Sequence, residues 1–238
     1  QEEFLDSLSP EQAAAANKFD SPLLLVAGAG SGKTRTLIGR ATKLLLPRSN
    51  RGIGANPKTL MMVTFTNKAA GEMRERFTPI LKGLSAAGIY GDPWVGTFHS
   101  ISMKILREEA KHAGLGENFS IIDDSDAKEV AKDAFRTTGH EAMDISDFFS
   151  GLEYVKARLY PPRLLVNRKK EMEKLAASGA ALTPVQREWK RIFEKVLPEG
   201  FEKVYEQYQT ILKENNAVDF SDLINTVTFM MRSNPAIR

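Results

Sequence analysis

Two hydrophobic patterns divide the chain. Through about residue 113, short unbroken apolar runs alternate with stretches in which apolar residues recur every three or four positions. The runs Leu23–Gly28, Thr59–Phe65 and Trp94–Phe98 have the length and composition of buried strands. Each leads into a helical pattern, over Lys33–Leu46, Lys68–Leu84 and Ser100–Ala113. An amphipathic helix precedes them at residues 8–19, with Ser9 as N-cap and Pro10 at its first position. Strands alternating with helices of this length predict a parallel sheet with crossover helices. Pro47–Lys58, rich in glycine, proline and polar residues, reads as a long polar loop.

Beyond residue 113 the helical period takes over. Asp126–Thr137, Ile145–Ala157, Arg163–Ser178, Thr183–Leu197 and Gly200–Asn215 read as helices, broken at Gly139, Pro161-Pro162, Gly179 and Pro198-Glu199-Gly200. Phe119–Ile122 is the one strand signal among them, and another amphipathic helix is expected to begin at Val218. The prediction is an α/β fold whose parallel sheet is interrupted by an all-helical insertion. Residues 1–113 form the first part of the α/β unit, 114–216 the insertion, and 217–238 the return.

The turn between the first apolar run and its helix carries specific chemistry. Ala27-Gly28-Ala29-Gly30-Ser31-Gly32-Lys33-Thr34-Arg35 has the layout of a phosphate-binding loop. Backbone N–H groups converge on phosphates there, the ammonium of Lys33 reaches the terminal ones, and the hydroxyl of Thr34 serves Mg²⁺. The start of the helix adds its positive end. The strict pattern opens with glycine, whereas this chain has Ala27. A nucleoside triphosphate site follows from these residues.

Two further motifs close the second and third apolar runs, where open parallel sheets place ligands. Thr64-Phe65-Thr66-Asn67-Lys68 and Gly96-Thr97-Phe98-His99-Ser100 each join hydroxyls able to bond phosphates with an aromatic able to stack on a base. Each also fits plain structure: Phe65 in the core, Thr66 or Asn67 capping a helix, His99 packed or capping. Gln12 has an amide suited to the edge of adenine, and is equally an exposed helix residue. Arg35 fits against a base or phosphates, or facing solvent.

Composition narrows the class without naming a function. Hydrophobic residues make up 42% of the 238 and charged residues 26%, ordinary for a globular chain. No apolar run approaches the roughly 20 residues of a membrane helix. The chain has no cysteine, which excludes disulfides and thiolate metal sites and suits a reducing compartment. A net charge of +3 permits a nucleic-acid partner without requiring one. Lys104, Arg107, Lys111, Lys156, Arg158, Arg163, Arg168–Lys170, Arg187, Lys190 and Arg191 recur among interleaved acids and read mainly as solvated helix faces.

Taken in order, Leu8-Ser9-Pro10-Glu11-Gln12, the loop at 27–35, Thr64–Ala70 and Gly96–Ser100 resemble the first four motifs of the UvrD/PcrA/Rep superfamily-1 DNA helicases. Val218-Asp219-Phe220 resembles the segment that closes that family's helical insertion, and the family commonly has alanine where Ala27 stands. The resemblance implies an incomplete P-loop NTPase sheet of RecA-like fold (subdomain 1A) interrupted by a helical subdomain 1B. It implies that Gln12 reads adenine, that Ala27, Gly28, Ala29, Gly30, Ser31, Gly32 and Arg35 surround ATP, and that Lys33 and Thr34 serve phosphate and Mg²⁺. Thr64, Phe65, Thr66, Asn67, Lys68, Thr97, Phe98 and His99 would line a single-stranded DNA track. The activity implied is ATP-dependent 3′-to-5′ DNA translocation or unwinding in repair or replication restart, with single-stranded DNA and single/double-strand junctions as partners. The location implied is the cytoplasm or nucleoid of a bacterium, and intracellular otherwise.

The family's next motif, an Asp-Glu pair ending a strand, and its second motor domain with an arginine finger are not found in this sequence. Asp123, Asp124, Asp219 and Asp222 are nearby acids, none of them expected to end an apolar strand. The chain therefore reads as an N-terminal fragment that lacks turnover by itself, lacks its C-terminal motor partners and has sheet edges open to self-association. The motor of a recombinational helicase–nuclease and a non-catalytic nucleic-acid binding module share the same motifs.

Overall fold

A computed structural model describes residues 2–50 and 52–237. Arg51, inside the sequence-predicted polar loop, lies outside the described residues. The chain divides into two compact units, residues 1–101 and 102–238.

The first unit contains α1 (Glu2–Asp6), α2 (Pro10–Ala16), α3 (Lys33–Leu45), β1 (Met61–Thr64), α4 (Asn67–Ala86), β2 (Trp94–Thr97) and the start of α5 (Phe98–Glu108). Helix α2 begins as its sequence dictates: the Ser9 hydroxyl accepts from Gln12 N, Gln12 Oε1 accepts from Ser9 N, and Pro10 fills the first turn. Ile38, Ala41 and Leu45 form one buried stripe of α3, packed on Met73, Phe77, Ile80 and Leu84 of α4 and on Met62 of β1. Burying residues the size of Phe77 or Leu84 contributes about 1.5–3 kcal/mol each. Gly39 sits inside α3 because a Cβ there would come within 2.8 Å of Leu8 Cδ1. The loop after α3 folds back: Ile53, Gly54 and Ala55 donate N–H bonds to Lys43, Leu46 and Leu44 O. Those bonds satisfy carbonyls that the end of a helix leaves unpaired.

Strands β1 and β2 pair in parallel, from Met61 opposite Trp94 to Thr64 opposite Thr97. The apolar run at 23–28 does not form the expected buried strand. Leu24 and Val26 are each 85% exposed while Leu23 and Leu25 are about half as open, so the side-chain alternation of a strand is there without a ladder. A parallel strand buried on both faces depends on neighbours. Among the described residues the ladders are β1–β2 and one other two-stranded pair. The parallel sheet is accordingly present only in part.

The second unit holds β3 (Ser120–Ile121), α6 (Asp124–Thr138), α7 (Ile145–Ala157), α8 (Pro162–Ser178), α9 (Pro184–Lys195), α10 (Phe201–Glu214), β4 (Ala217–Val218) and α11 (Asp222–Ser233). Asp123 and Asp144 cap α6 and α7 through their carboxylates, and Thr183 with Gln186 forms a capping box on α9. The core centres on Phe148, whose ring meets Phe135, Phe201 and Tyr208 at centroid distances of 5.4–5.6 Å. Strands β3 and β4 pair in parallel, Ser120 opposite Ala217 and Ile121 opposite Val218. The helix expected from Val218 therefore starts only at Asp222, because 217–218 is taken by this ladder. No described helix is long and apolar enough to cross a membrane.

Candidate functional site

The phosphate loop runs exposed from Ala27 to Ser31 and enters α3 at Lys33. Gly30 and Gly32 have φ of 76° and 83°, values that favour glycine, and Gly32 is the N-cap of α3. The Lys33 ammonium donates to the carbonyls of Ala27 at 2.8 Å and Gly28 at 2.6 Å. Its side chain thus arches back over the loop into the space the loop encircles. The Ser31 hydroxyl donates to Gly28 O at 2.7 Å, and Thr34 is half-buried on the first turn of α3.

Gln12 is tied to this loop. While its Oε1 accepts from Ser9 N, its Nε2 donates to Ser31 O at 3.2 Å. A Cβ on Gly32 would fall 2.5 Å from that same Nε2 and displace the Gln12 amide, while the φ of Gly32 favours glycine by itself. Arg35 turns the other way. Its guanidinium donates to the Ser7 hydroxyl at 2.5 Å and carbonyl at 3.2 Å, and lies 5.5 Å from the centre of the Phe4 ring.

These residues fit a magnesium nucleotide by their donor chemistry. A helix N-terminus, two left-handed glycines, a lysine bonded to loop carbonyls and a threonine at the second helical position form one contiguous group. A Cβ built on Gly28 or Gly30 meets nothing within 4 Å, so the approach is open.

The two strand-end motifs lie side by side because their strands are in register. Thr64 pairs with Thr97, and the next residues, Phe65 and Phe98, bring their ring centroids to 5.5 Å at 45°. Phe65 is 88% exposed, which removes its core alternative, and Phe98 is 46% exposed. Thr66 caps α4, its hydroxyl accepting from Ala69 N at 3.1 Å, with Asn67 and Lys68 exposed on the first turn. Thr97 is buried, bonded through its N–H and hydroxyl to the Ser100 hydroxyl. His99 is half-buried, and that burial holds its imidazole below the usual value of 6.5.

The second unit contains a polar cluster that the sequence pattern conceals. Lys156, read as a solvated helix charge, is 3% exposed. Its ammonium bridges Asp219 Oδ2 at 2.5 Å and Asp222 Oδ1 at 2.7 Å. Tyr208 donates its hydroxyl to Asp219 Oδ2, and Gln209 donates to Asp222 Oδ2, both at 3.0 Å. Burial would raise the Asp219 carboxyl, but the charge and hydrogen bond of Lys156 outweigh it and hold the group below its usual value. For Asp222 burial wins, aided by the neighbouring Asp219, and the carboxyl is raised despite Lys156. Asp219 does follow a short strand, β4, contrary to expectation, but its carboxylate faces this buried cluster. Between the two acids Phe220 is 57% exposed. The signal that could have singled it out is an aromatic between two aspartates immediately after an apolar pair.

Comparison with known proteins gives a consistent family. The model of the UvrD/REP helicase N-terminal domain matches residues 8–238. A protein named ATP-dependent DNA helicase UvrD1, from Mycobacterium tuberculosis, is 36% identical over 245 residues. The match covers 99% of this chain and 27% of that relative. ATP-dependent DNA helicase PcrA of Staphylococcus aureus and a probable DNA helicase II homolog of Mycoplasma capricolum are each 32% identical, over 98% of this chain and 28% of their own length. The chain therefore spans little more than a quarter of the relatives it matches.

Proposed function

The chain belongs to the UvrD/REP helicase N-terminal domain family, and on that premise we propose that it is the ATP-binding and single-strand-binding part of a DNA-translocating motor. The assignment of residues 1–113 and 217–238 to subdomain 1A and 114–216 to subdomain 1B is part of this reading. The observation that carries it is the pairing in one compact unit of a complete phosphate loop with two adjacent exposed rings, Phe65 and Phe98.

When bound, Mg-ATP brings a phosphoanhydride whose terminal phosphoryl group is open to attack by water. Lys33 exchanges its two loop carbonyls for phosphate oxygens, which are stronger partners because they are charged. The Thr34 hydroxyl serves Mg²⁺. To read adenine Gln12 would release Ser31 O and turn its amide, giving up or sharing the bond that its Oε1 accepts from Ser9 N. Arg35, bonded to Ser7 and lying over Phe4, would have to leave these partners to reach the nucleotide.

Phe65 and Phe98 offer stacking faces to successive bases, a contact worth about 1–3 kcal/mol per base. Thr64, Thr66, Asn67 and Lys68 supply phosphate donors beside them, with Thr97 holding the start of α5 and His99 next to the ring of Phe98. In the helical unit, taken by itself, Phe220 is an exposed ring that we read as a base-stacking face. Alternate tightening around nucleotide and strand gives 3′-to-5′ movement in the whole motor, acting at single/double-strand junctions.

No described group of three or more acids and histidines is arranged to hold a metal. The described acids nearest in sequence to the family's Asp-Glu position, Asp219 and Asp222, are engaged by Lys156. On this reading the 238 residues by themselves bind nucleotide without turnover and associate through open sheet edges. The test is titration of the purified chain with a fluorescent ATP analogue and with fluorescein-labelled oligo-dT. Saturable binding of both, with no steady-state hydrolysis stimulated by oligo-dT, is expected. Failure to bind oligo-dT, or sustained hydrolysis, rejects the reading.

A further inference from the structure

A buried lysine clamped by two carboxylates is a weak stabilising device, since apolar side chains of similar volume often serve as well. What such a cluster does well is fix geometry, and here it surrounds one short turn. Asp219 closes the turn from within: its Oδ1 accepts from the Ser221 hydroxyl and from Asp222 N, both at 2.9 Å. Lys156 closes it from the side, bonding the acids at both of its ends. Tyr208 of α10 donates to the same Asp219 Oδ2 that Lys156 bonds, and Gln209 to the other oxygen of Asp222. Asn225 of α11 donates to Lys156 O at 3.2 Å, so the last turn of α7 is bonded to α11 as well as to the turn. The residue enclosed by this frame is Phe220, with more than half of its surface in solvent. The cluster thus fixes the backbone on both sides of the Phe220 ring.

We propose that Lys156 is a positioning residue: it fixes the Asp219–Asp222 turn and thereby the direction in which Phe220 is presented. This rests on the reading of Phe220 as a base-stacking ring, but the geometric claim stands apart from it. Lys156 touches no ligand. It acts through Asp219 and Asp222, and its removal frees the turn at both ends at once.

The chain has no cysteine, so Phe220→Cys introduces a single thiol for a nitroxide spin label. With Lys156 in place the label shows a motionally restricted spectrum. Lys156→Met is expected to remove that component, while the helical signal in circular dichroism and the affinity for a fluorescent ATP analogue stay at parent values. In the unlabelled chain, Lys156→Met weakens oligo-dT binding about tenfold, and Lys156→Arg restores part of it. An equally restricted label in Lys156→Met overturns the proposal. If Lys156→Met does not fold, Asp222→Asn, which keeps the Lys156–Asp219 pair, decides the matter: a partly mobilised label supports the proposal and an unchanged one overturns it. If the label is freed but Phe220→Ala binds oligo-dT as the parent does, positioning stands and the base-stacking reading of Phe220 fails.

Discussion

Asn216 accepts the backbone N–H of Gly116 through its side-chain oxygen at 2.7 Å, a bond between residues 100 apart in the chain. Asn216 itself has φ of 49°, in the left-handed region that asparagine tolerates better than most residues. Its own carbonyl accepts from Ser120 N at 3.0 Å, so one residue begins the β3–β4 pairing and ties down the loop before it. A Cβ on Gly116 would lie 2.8 Å from Asn216 Nδ2, which makes the glycine part of the same fit.

Asn216→Ala loses the bond and pays for a left-handed alanine, for a combined loss of about 2 kcal/mol. Asn216→Gly relieves the backbone and loses only about 1 kcal/mol. Urea unfolding of the two variants measures this. Equal losses would show that backbone conformation contributes nothing at this position.

The Lys156 cluster titrates in two opposite senses. Asp219 is held below its usual 3.8, so its contribution is fully present above that value and is lost as pH falls through its folded pKa. Asp222 is raised above 3.8, so its contribution is full at lower pH and is lost as pH rises through its folded pKa. At pH 7 Asp219→Asn should therefore cost about 3 kcal/mol, by leaving Lys156 without its principal counter-charge. Asp222→Asn removes a carboxylate whose charge burial disfavours and leaves the Lys156–Asp219 pair in place, so it should cost less than Asp219→Asn and flatten the decline of stability as pH rises. Denaturation midpoints from pH 3 to 8 test both. A larger loss from Asp222→Asn would reverse the assignment of charge.

Gly32→Ala should weaken nucleotide binding about tenfold, because its φ of 83° is strained for alanine by about 1–2 kcal/mol and its Cβ displaces Gln12 Nε2. Adding Gln12→Ala removes the collision but also the amide assigned to adenine, and it leaves the strain, so the double variant should bind no more tightly than Gly32→Ala. Titration with a fluorescent ATP analogue reads the series. Tighter binding by the double variant would mean that the contact with Gln12, and not backbone conformation, limits binding there.

Phe65→Ala and Phe98→Ala should each weaken oligo-dT binding by about tenfold and leave ATP-analogue affinity unchanged. Both rings touch, so the double variant should lose less than the product of the single losses. Anisotropy titrations decide it, and a fully multiplicative loss would show that the rings act independently.

Local chemistry was legible in the sequence where a residue's role depends on its neighbours in the chain. The Ser9 cap, the Thr66 cap and the turn from Gly30 into α3 follow from side chains within three or four positions. Pairing was not. The run at 23–28 has the composition of a buried strand, but whether a ladder forms depends on segments elsewhere, and none of the described residues supplies one. The two-residue strand β4 is too short for an alternating pattern to register. Lys156 shows the same limit for charge: lysine on a helix is nearly always solvated, and only Asp219 and Asp222, more than 60 residues later, make its burial tolerable. Phe65 and Phe98 lay in between, their chemistry visible and their exposure undecided until the register placed them together.

The pairing of β3 with β4 also sets an order of events during synthesis. Ser120 leaves the ribosome well before Ala217, its partner, has been joined to the chain. At about 5–20 residues per second that interval lasts roughly 5–20 s, ample for the intervening helices to form and collide. The helical unit must wait, already condensed around Phe148, for its final strand to arrive, and a nascent chain stalled between α10 and β4 would leave β3 without its partner.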